Sequence, residues 1–332
     1  MAFLTGTSTS IDNLMSQLNT FLVANGWTQD HFTAGDPGRA GWNKNAIFVA
    51  FQWTDATDNG VLAMYQNTSN DDSVEVWNST GDSGLGASSA TASSFDTGRQ
   101  VNEFAGPHTA FWFFEQDASP AYVHVVVEVD AGRFRHFGFG ELEKIGDWAG
   151  GEYAYGHFWD QNSARIDDPA SIFHQFGMDN GTFQGSFMSS MKVAGFPEQG
   201  GSDIWARVGD GGTFPAGQDR AGNDRIPVQG SWRGGMSYAP VSMFRISVLT
   251  AFKPMAPLLY LIRNTSPAPD VMRMLGTHPD IRGINIGNLD PGETFSVAGE
   301  TWFVFPWVRK QFLQNDTEET RNGGLAYRQE TA

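Results

Sequence analysis

Cysteine is absent from this chain of 332 residues. That excludes disulfide frameworks, thiol catalysis and cysteine-ligated zinc, and it leaves packing alone to hold the fold. Charge is also scarce: 17% of residues are Asp, Glu, Lys or Arg, and 21 basic side chains stand against 37 acidic ones, for a formal net charge of −16. Nucleic acid and anionic lipid are gripped by concentrated Lys and Arg, so neither a nucleic acid nor a membrane partner is expected. Long apolar runs are missing as well. The opening MAFLTGTSTSIDN places no basic residue before its few apolar ones and has no leader-like hydrophobic stretch, and Arg245 interrupts the longest apolar stretch of the C-terminal half. A soluble protein made in a cytoplasm is the expectation.

The familiar catalytic signatures are missing too. The sequence has no HExxH, no EF-hand spacing, no G-x-S-x-G elbow, no P-loop and no kinase motif. Gly138-Phe139-Gly140 is followed by acidic Glu141 and Glu143 and lacks the third glycine that would admit a pyrophosphate. No cofactor and no metal is expected.

What is present is aromatic and turn-rich: Phe 26, Trp 11 and Gly 39, a composition of short strands rather than long helices. Ser8-Thr9-Ser10 precedes Ile11, Leu14, Leu18, Phe21 and Leu22, whose spacing puts one apolar stripe on a capped helix that Asn25-Gly26 stops. Trp27 to Phe32 is expected to be extended, Gly35 to Lys44 a loop, and Ala46 to Trp53 and Val61 to Tyr65 strands. Asn67 to Gln100 turns to Asn, Ser, Asp, Thr and Gly, with SSATASS at its centre, and reads as a long surface loop. Thr109 to Gln116 and Tyr122 to Val129 are dense apolar strands, and the second enters a hairpin through Asp130-Ala131-Gly132 to Arg133–Phe139. Trp148 to Trp159 is a further aromatic, glycine-punctuated segment.

Beyond it, residues 177–223 read as mostly irregular and Asp270 to Leu275 as a helical turn. Ile204 to Val208, Ile226 to Trp232, Met243 to Leu249, Leu258 to Arg263 and Ile281 to Ile286 read as strands. Thr294 to Val297 and Thr301 to Val308 form a hairpin across Ala298-Gly299-Glu300, and Leu325 to Arg328 is the last strand. The expected fold is α+β. An N-terminal helix packs on an antiparallel sheet in a domain of residues 1–160, and a β-rich, sandwich-like domain of residues 161–332 follows.

Candidate chemistry is thin. Glu141, Glu143 and Asp147 beside Trp148, with Glu115 and Glu128 nearby, could be assembled into a glycosidase-like carboxylate pair, yet any acidic, aromatic chain offers such a set. His136, His157 and His174 are too far apart for a local metal signature, and Asp203, Asp210, Asp219 and Asp224 around Gly209-Asp210-Gly211-Gly212 suit a hard cation only in composition. Trp77, Trp148, Trp159 and Trp232 could stack on sugar in a carbohydrate-recognising module.

FLVANGWT, then HTAFWFFEQ with YVHVVVEVDAGRFRHFGFGELEKIGDWAGGEYAYGHFW, then GETFSVAGETWFVFPWVRK with GGLAYR, together resemble virion structural proteins of tailed bacteriophages. The resemblance implies a non-enzymatic subunit of the tail or neck, located in the virion and made in the host bacterial cytoplasm. It implies contacts with other virion structural proteins and with further copies of the chain, and it supplies no catalytic residue. On this reading Trp302, Phe303, Phe305 and Trp307 of the terminal hairpin, with Trp148 and Trp159, are the interface candidates, since aromatic anchors dominate such contacts. The competing reading of the hairpin is that it closes the molecule's own core.

Overall fold

In the computed structural model the described residues are 1–56, 60–67, 70, 99–102, 104–147, 149–157, 187–194, 204–208, 255–264, 271–306, 310 and 323–329. The chain divides into two compact units: Met1–Ala131 with Arg135–Glu141 and Glu152–Gln161, and Gly132–Phe134 with Leu142–Gly151 and Asn162–Ala332. The architecture is the α+β, β-rich, antiparallel one expected.

The first unit opens with β1 (Ala2–Ser8) and α1 (Ile11–Ala24). Ser10 caps the helix, its Oγ accepting the Asn13 N–H at 3.1 Å, a contact worth about 1 kcal/mol. Ile11, Leu14, Met15, Leu18, Phe21 and Leu22 form the buried stripe. At the other end the backbone N–H of Asn25 and the Asn25 side-chain amide both donate to the Phe21 carbonyl, and Gly26 takes a positive φ of 81° that turns the chain out.

The five strands β2 (Thr28–Thr33), β3 (Gly38–Lys44), β4 (Ile47–Thr54), β5 (Val61–Asn67) and β6 (Arg99–Asn102) form an antiparallel meander in that order. The expected loop at Gly35–Lys44 is therefore largely a strand, paired on both sides and burying Trp42 and Ala40. Its glycines misled the reading because they serve packing: a Cβ on Gly38 would lie 2.1 Å from the Trp53 indole. Only the register with two neighbours reveals such a strand.

The second sheet of this unit runs β1, β7 (His108–Gln116), β8 (Tyr122–Asp130), β9 (Arg133–Glu141), β11 (Ala149–His157), all antiparallel where paired. Phe111, Phe113 and Phe114 of β7 are all buried, so both faces of this strand are covered, as its unbroken aromatic run implied. The two sheets meet through rings: Phe51 of β4 touches Phe137 and Phe139 of β9 at 5.9 and 5.7 Å between centroids, and Phe104 touches Phe137 at 6.1 Å. The helix is tied to both sheets, by Phe21 on Phe113 and by Asn19 accepting the Trp42 indole N–H at 2.7 Å. Strand β1 had no counterpart in the sequence reading. It is short, half polar and at a sheet edge, where periodicity carries little signal.

In the second unit β10 (Glu143–Lys144), β14 (Met255–Asn264), β15 (Val271–Asn285), β16 (Thr294–Val297), β17 (Glu300–Pro306) and β18 (Gly323–Gln329) build a further sheet. Its order is β10-β15-β18-β17-β16, with β14 also on β15. Of the helical turn expected at Asp270–Leu275, Val271 onward is instead the first part of β15, where Val271 to Met274 pairs with Asn264 to Leu261. Met and Leu favour a helix locally, but the ladder with β14 overrides that preference. Within residues 177–223, β12 (Phe187–Ala194) pairs antiparallel with β13 (Ile204–Val208), so part of that stretch is regular. The expected loop centre at 71–98 and the strands at 226–232 and 243–249 lie outside the described residues.

Candidate functional site

The terminal hairpin holds most of the interface candidates, and its turn fixes where they go. Ala298 and Gly299 both have positive φ, 53° and 86°, the backbone that a two-residue turn between twisted strands demands. The resulting register puts Trp302 opposite Phe295 on one side and Arg328 on the other. With alternation, Trp302 and Val304 share one face with Ala326 and Ile284, and this face with Ile286 and Leu289 is a closed apolar cluster. Trp302 is 2% exposed, its indole N–H donates to Glu300 Oε2 at 3.2 Å, and the Arg282 guanidinium lies over the ring at 5.6 Å. Arg328 beside it joins Asp280 at 2.9 Å and Glu300 at 3.4 Å.

The opposite face carries Phe303 and Phe305 with Tyr327, and Phe134 reaches Phe305 at 5.8 Å. Phe305 is buried and Phe303 half-buried. Trp302 and Phe305 therefore sit where a hairpin that closes its own core would put them. Phe303 keeps an accessible edge. Trp307, Trp148 and Trp159 lie outside the described residues, as do Trp77 and Trp232.

The carboxylates considered for glycan cleavage take separate partners. Glu115 is 1% exposed and accepts from Trp27 Nε1 at 3.0 Å and from Lys44 Nζ at 3.1 Å. Glu141 accepts from Ser119 Oγ at 3.3 Å, and Glu143 from Thr277 Oγ1 at 3.2 Å, while Asp147 is exposed. Among the described residues no group of three or more His, Asp or Glu could hold a metal ion, and no helix is long and apolar enough to cross a membrane. His136 is buried in β9, and Asp203, Asp210, Asp219, Asp224 and His174 lie outside the described residues.

Three polar clusters escaped the sequence reading because their members are distant in the chain. The first is the Trp27–Lys44–Glu115 group, in which Lys44 also donates to the Asn25 carbonyl at 2.9 Å and so ties the helix end, β3 and β7 together. Burial pushes the Glu115 carboxyl above its ordinary value, and the bonds from Lys44 and Trp27 pull it part of the way back. The second gathers Asp12, Asp36 and Asp55. Asp12 accepts from the Gly35 N–H and the Trp53 indole, Asp36 from the Thr54 hydroxyl, and burial with the nearby Asp36 raises Asp55.

The third is Ser8 and His108, joined at 2.5 Å, with His108 Nε2 donating to the Phe104 carbonyl at 2.8 Å. Nε2 must carry the proton to donate to a carbonyl, and in the neutral ring that burial favours, Nδ1 accepts from the Ser8 hydroxyl. Both residues are buried, so the pair fastens the end of β1 to the start of β7 rather than facing a cleft. Burial holds His108 below the ordinary imidazole value of 6.5. Above that pH the folded and unfolded chains are alike at this residue; below it the unfolded chain takes up a proton that the folded one resists, so stability falls as pH drops. Denaturant midpoints at about pH 7.5 and about pH 5.5 should fall less for His108→Gln than for the native chain. Equal falls would exclude His108 as a source of acid lability.

Neither comparison gives the chain a relative, since no family model matches it and a search of curated proteins found no match.

Proposed function

We propose that the chain is a non-enzymatic structural subunit of a tailed-phage particle, a component of the tail or neck held by contacts with neighbouring subunits. What supports the reading is where the three resembling blocks fall. FLVANGWT runs from the last turn of α1 into β2, the middle block covers β7 to β11, and the last covers β16 to β18. Each is framework. Within these blocks His108, Glu115, His124, His136 and Glu152 are buried in sheet strands, while the more accessible Glu141 and Glu143 bond separate neighbours, Ser119 and Thr277. A sheet-rich subunit with several strand edges suits lateral contact, because an edge offers a row of backbone donors and acceptors to a neighbour.

Mass spectrometry of purified particles should find the chain at a fixed stoichiometry to the other structural proteins. Light scattering of the isolated protein should show self-association that rises with concentration. A protein that is monomeric at every concentration and missing from particles overturns the proposal.

A further inference from the structure

Asn25-Gly26 stops α1, and it is also the dipeptide in which an asparagine loses its side-chain amide most readily. A following residue without a Cβ leaves its backbone nitrogen unhindered for attack on the asparagine Cγ. Gly26 N bonds to Asn25 Cγ, the Cγ–Nδ2 bond breaks, and ammonia leaves with the proton of the Gly26 N–H. Water then adds to either carbonyl of the five-membered imide, giving aspartate or isoaspartate at position 25. No oxidant or reductant enters. Asn25 is half-buried and Gly26 exposed, so water reaches this peptide.

The fold holds the dipeptide away from that ring closure. Closure needs Asn25 Cβ and Gly26 N on the same side of the Cα–C bond, and at the observed ψ of 25° they lie nearly opposite. Rotation about this bond is resisted first by the helix end itself. The Asn25 amide donates to the Phe21 carbonyl at 2.7 Å, the Gly26 N–H to the Val23 carbonyl at 3.2 Å and the Trp27 N–H to the Leu22 carbonyl at 3.0 Å. Bonds of this kind fray with the helix terminus. The Asn25 carbonyl, which the rotation must swing, is also held from outside the helix. Lys44 Nζ of β3 donates to it at 2.9 Å and is itself fixed by Glu115 of β7 at 3.1 Å. Trp27, the residue after Gly26, is buried with its ring edge-on to Phe139 at 5.2 Å.

We propose that Asn25 is a spontaneous modification site, converted by water to aspartate and isoaspartate, and that the Lys44 ammonium on its carbonyl is the lock that sets the rate in the folded chain. Conversion weakens the helix stop. A carboxylate has no proton to donate to the Phe21 carbonyl, and it stands at the C-terminal end of α1, where the helix dipole disfavours negative charge. The chemistry needs no partner, and it holds whether or not the chain is a virion subunit.

Asn59, Asn180 and Asn322 also precede glycine and calibrate the intrinsic rate. In concentrated urea, in warm and mildly alkaline buffer, peptide mass spectrometry should find them converting at rates similar to that of Asn25. Without urea, Asn25 should convert at least about twenty-fold more slowly than in urea, the protection of a helix end that must first open. Lys44→Met should raise the rate in the folded chain about ten-fold, through loss of one charge-assisted hydrogen bond. For both chains the rate should stay flat with urea below the unfolding transition, because opening a helix end exposes little surface. No conversion of Asn25 in urea overturns the site. Equal rates with and without urea overturn the lock, as does a rate that climbs with urea along the unfolding curve. A Lys44→Met chain that keeps the native circular dichroism spectrum and converts at the native rate also overturns it.

Discussion

Phe51→Ala should cost about 3–5 kcal/mol, enough to unfold most of the first unit's margin of stability. Phe51 is fully buried in β4, touches Trp42 at 5.4 Å on its own sheet, and reaches Phe137 and Phe139 of β9 across the interior. One side chain therefore bridges both layers, and truncation removes transferred area from each while leaving a cavity that two rigid sheets cannot collapse around. Phe51→Leu keeps much of the volume and should cost less than about 1.5 kcal/mol. Phe303→Ala provides the contrast, since a half-buried ring should lose only about 1–2 kcal/mol. Denaturant unfolding of the three variants, followed by indole fluorescence, orders them. A Phe51→Ala midpoint no lower than that of Phe303→Ala would mean that the two sheets are not held together through this ring.

Much of this framework was legible in the sequence where a local pattern and the tertiary structure agree. The helix from Ile11 was readable because its cap, its apolar stripe and its Asn25-Gly26 stop all point the same way. The hairpins at 122–139 and 294–306 were readable from alternating apolar residues around short turns with glycine. Reading failed where pairing decides. Gly38 to Lys44 has poor strand propensity and becomes a strand because β2 and β4 flank it, and Val271 to Leu275 has helix-forming residues drawn into a long ladder. Strand β1 was overlooked for a related reason: its partner, β7, lies about a hundred residues away along the chain. The polar clusters were out of reach altogether. Lys44 and Glu115 are 71 residues apart, and Ser8 and His108 are 100 apart, so no spacing rule joins them.

The functional reading has the same division. Aromatic residues of the terminal hairpin were singled out as anchors for a partner, and the ladder turns Trp302 and Phe305 into the unit's own core. Aromatic density identifies burial without saying whose surface does the burying. Strand order is different information, available only from the ladders.

The largest electrostatic effect is expected at Glu115. Glu115→Gln keeps an acceptor for the Trp27 indole but leaves the Lys44 ammonium, 11% exposed, with only the Asn25 carbonyl and the Trp27 ring, which lies 5.5 Å away. Removing one member of a buried pair typically costs about 3–5 kcal/mol, because the remaining charge stays desolvated. Lys44→Met leaves the complementary problem, a buried carboxylate with the indole alone, and that variant has a pH signature. Burial already raises the Glu115 carboxyl above 4.5 in the native chain, and loss of Lys44 removes the cation that pulls it back. The folded variant then binds a proton more readily than the unfolded chain, so its destabilisation is full above the raised value and shrinks as pH falls toward 4.5. The double variant Lys44→Met/Glu115→Gln has neither charge and keeps the Trp27 bond, so it should be more stable than the sum of the singles by about 1–3 kcal/mol. Denaturant titrations of the four proteins at about pH 7.5 and about pH 5 complete the cycle. Additive costs, or a Lys44→Met penalty that does not shrink in acid, would show that the pair is not coupled in the folded chain.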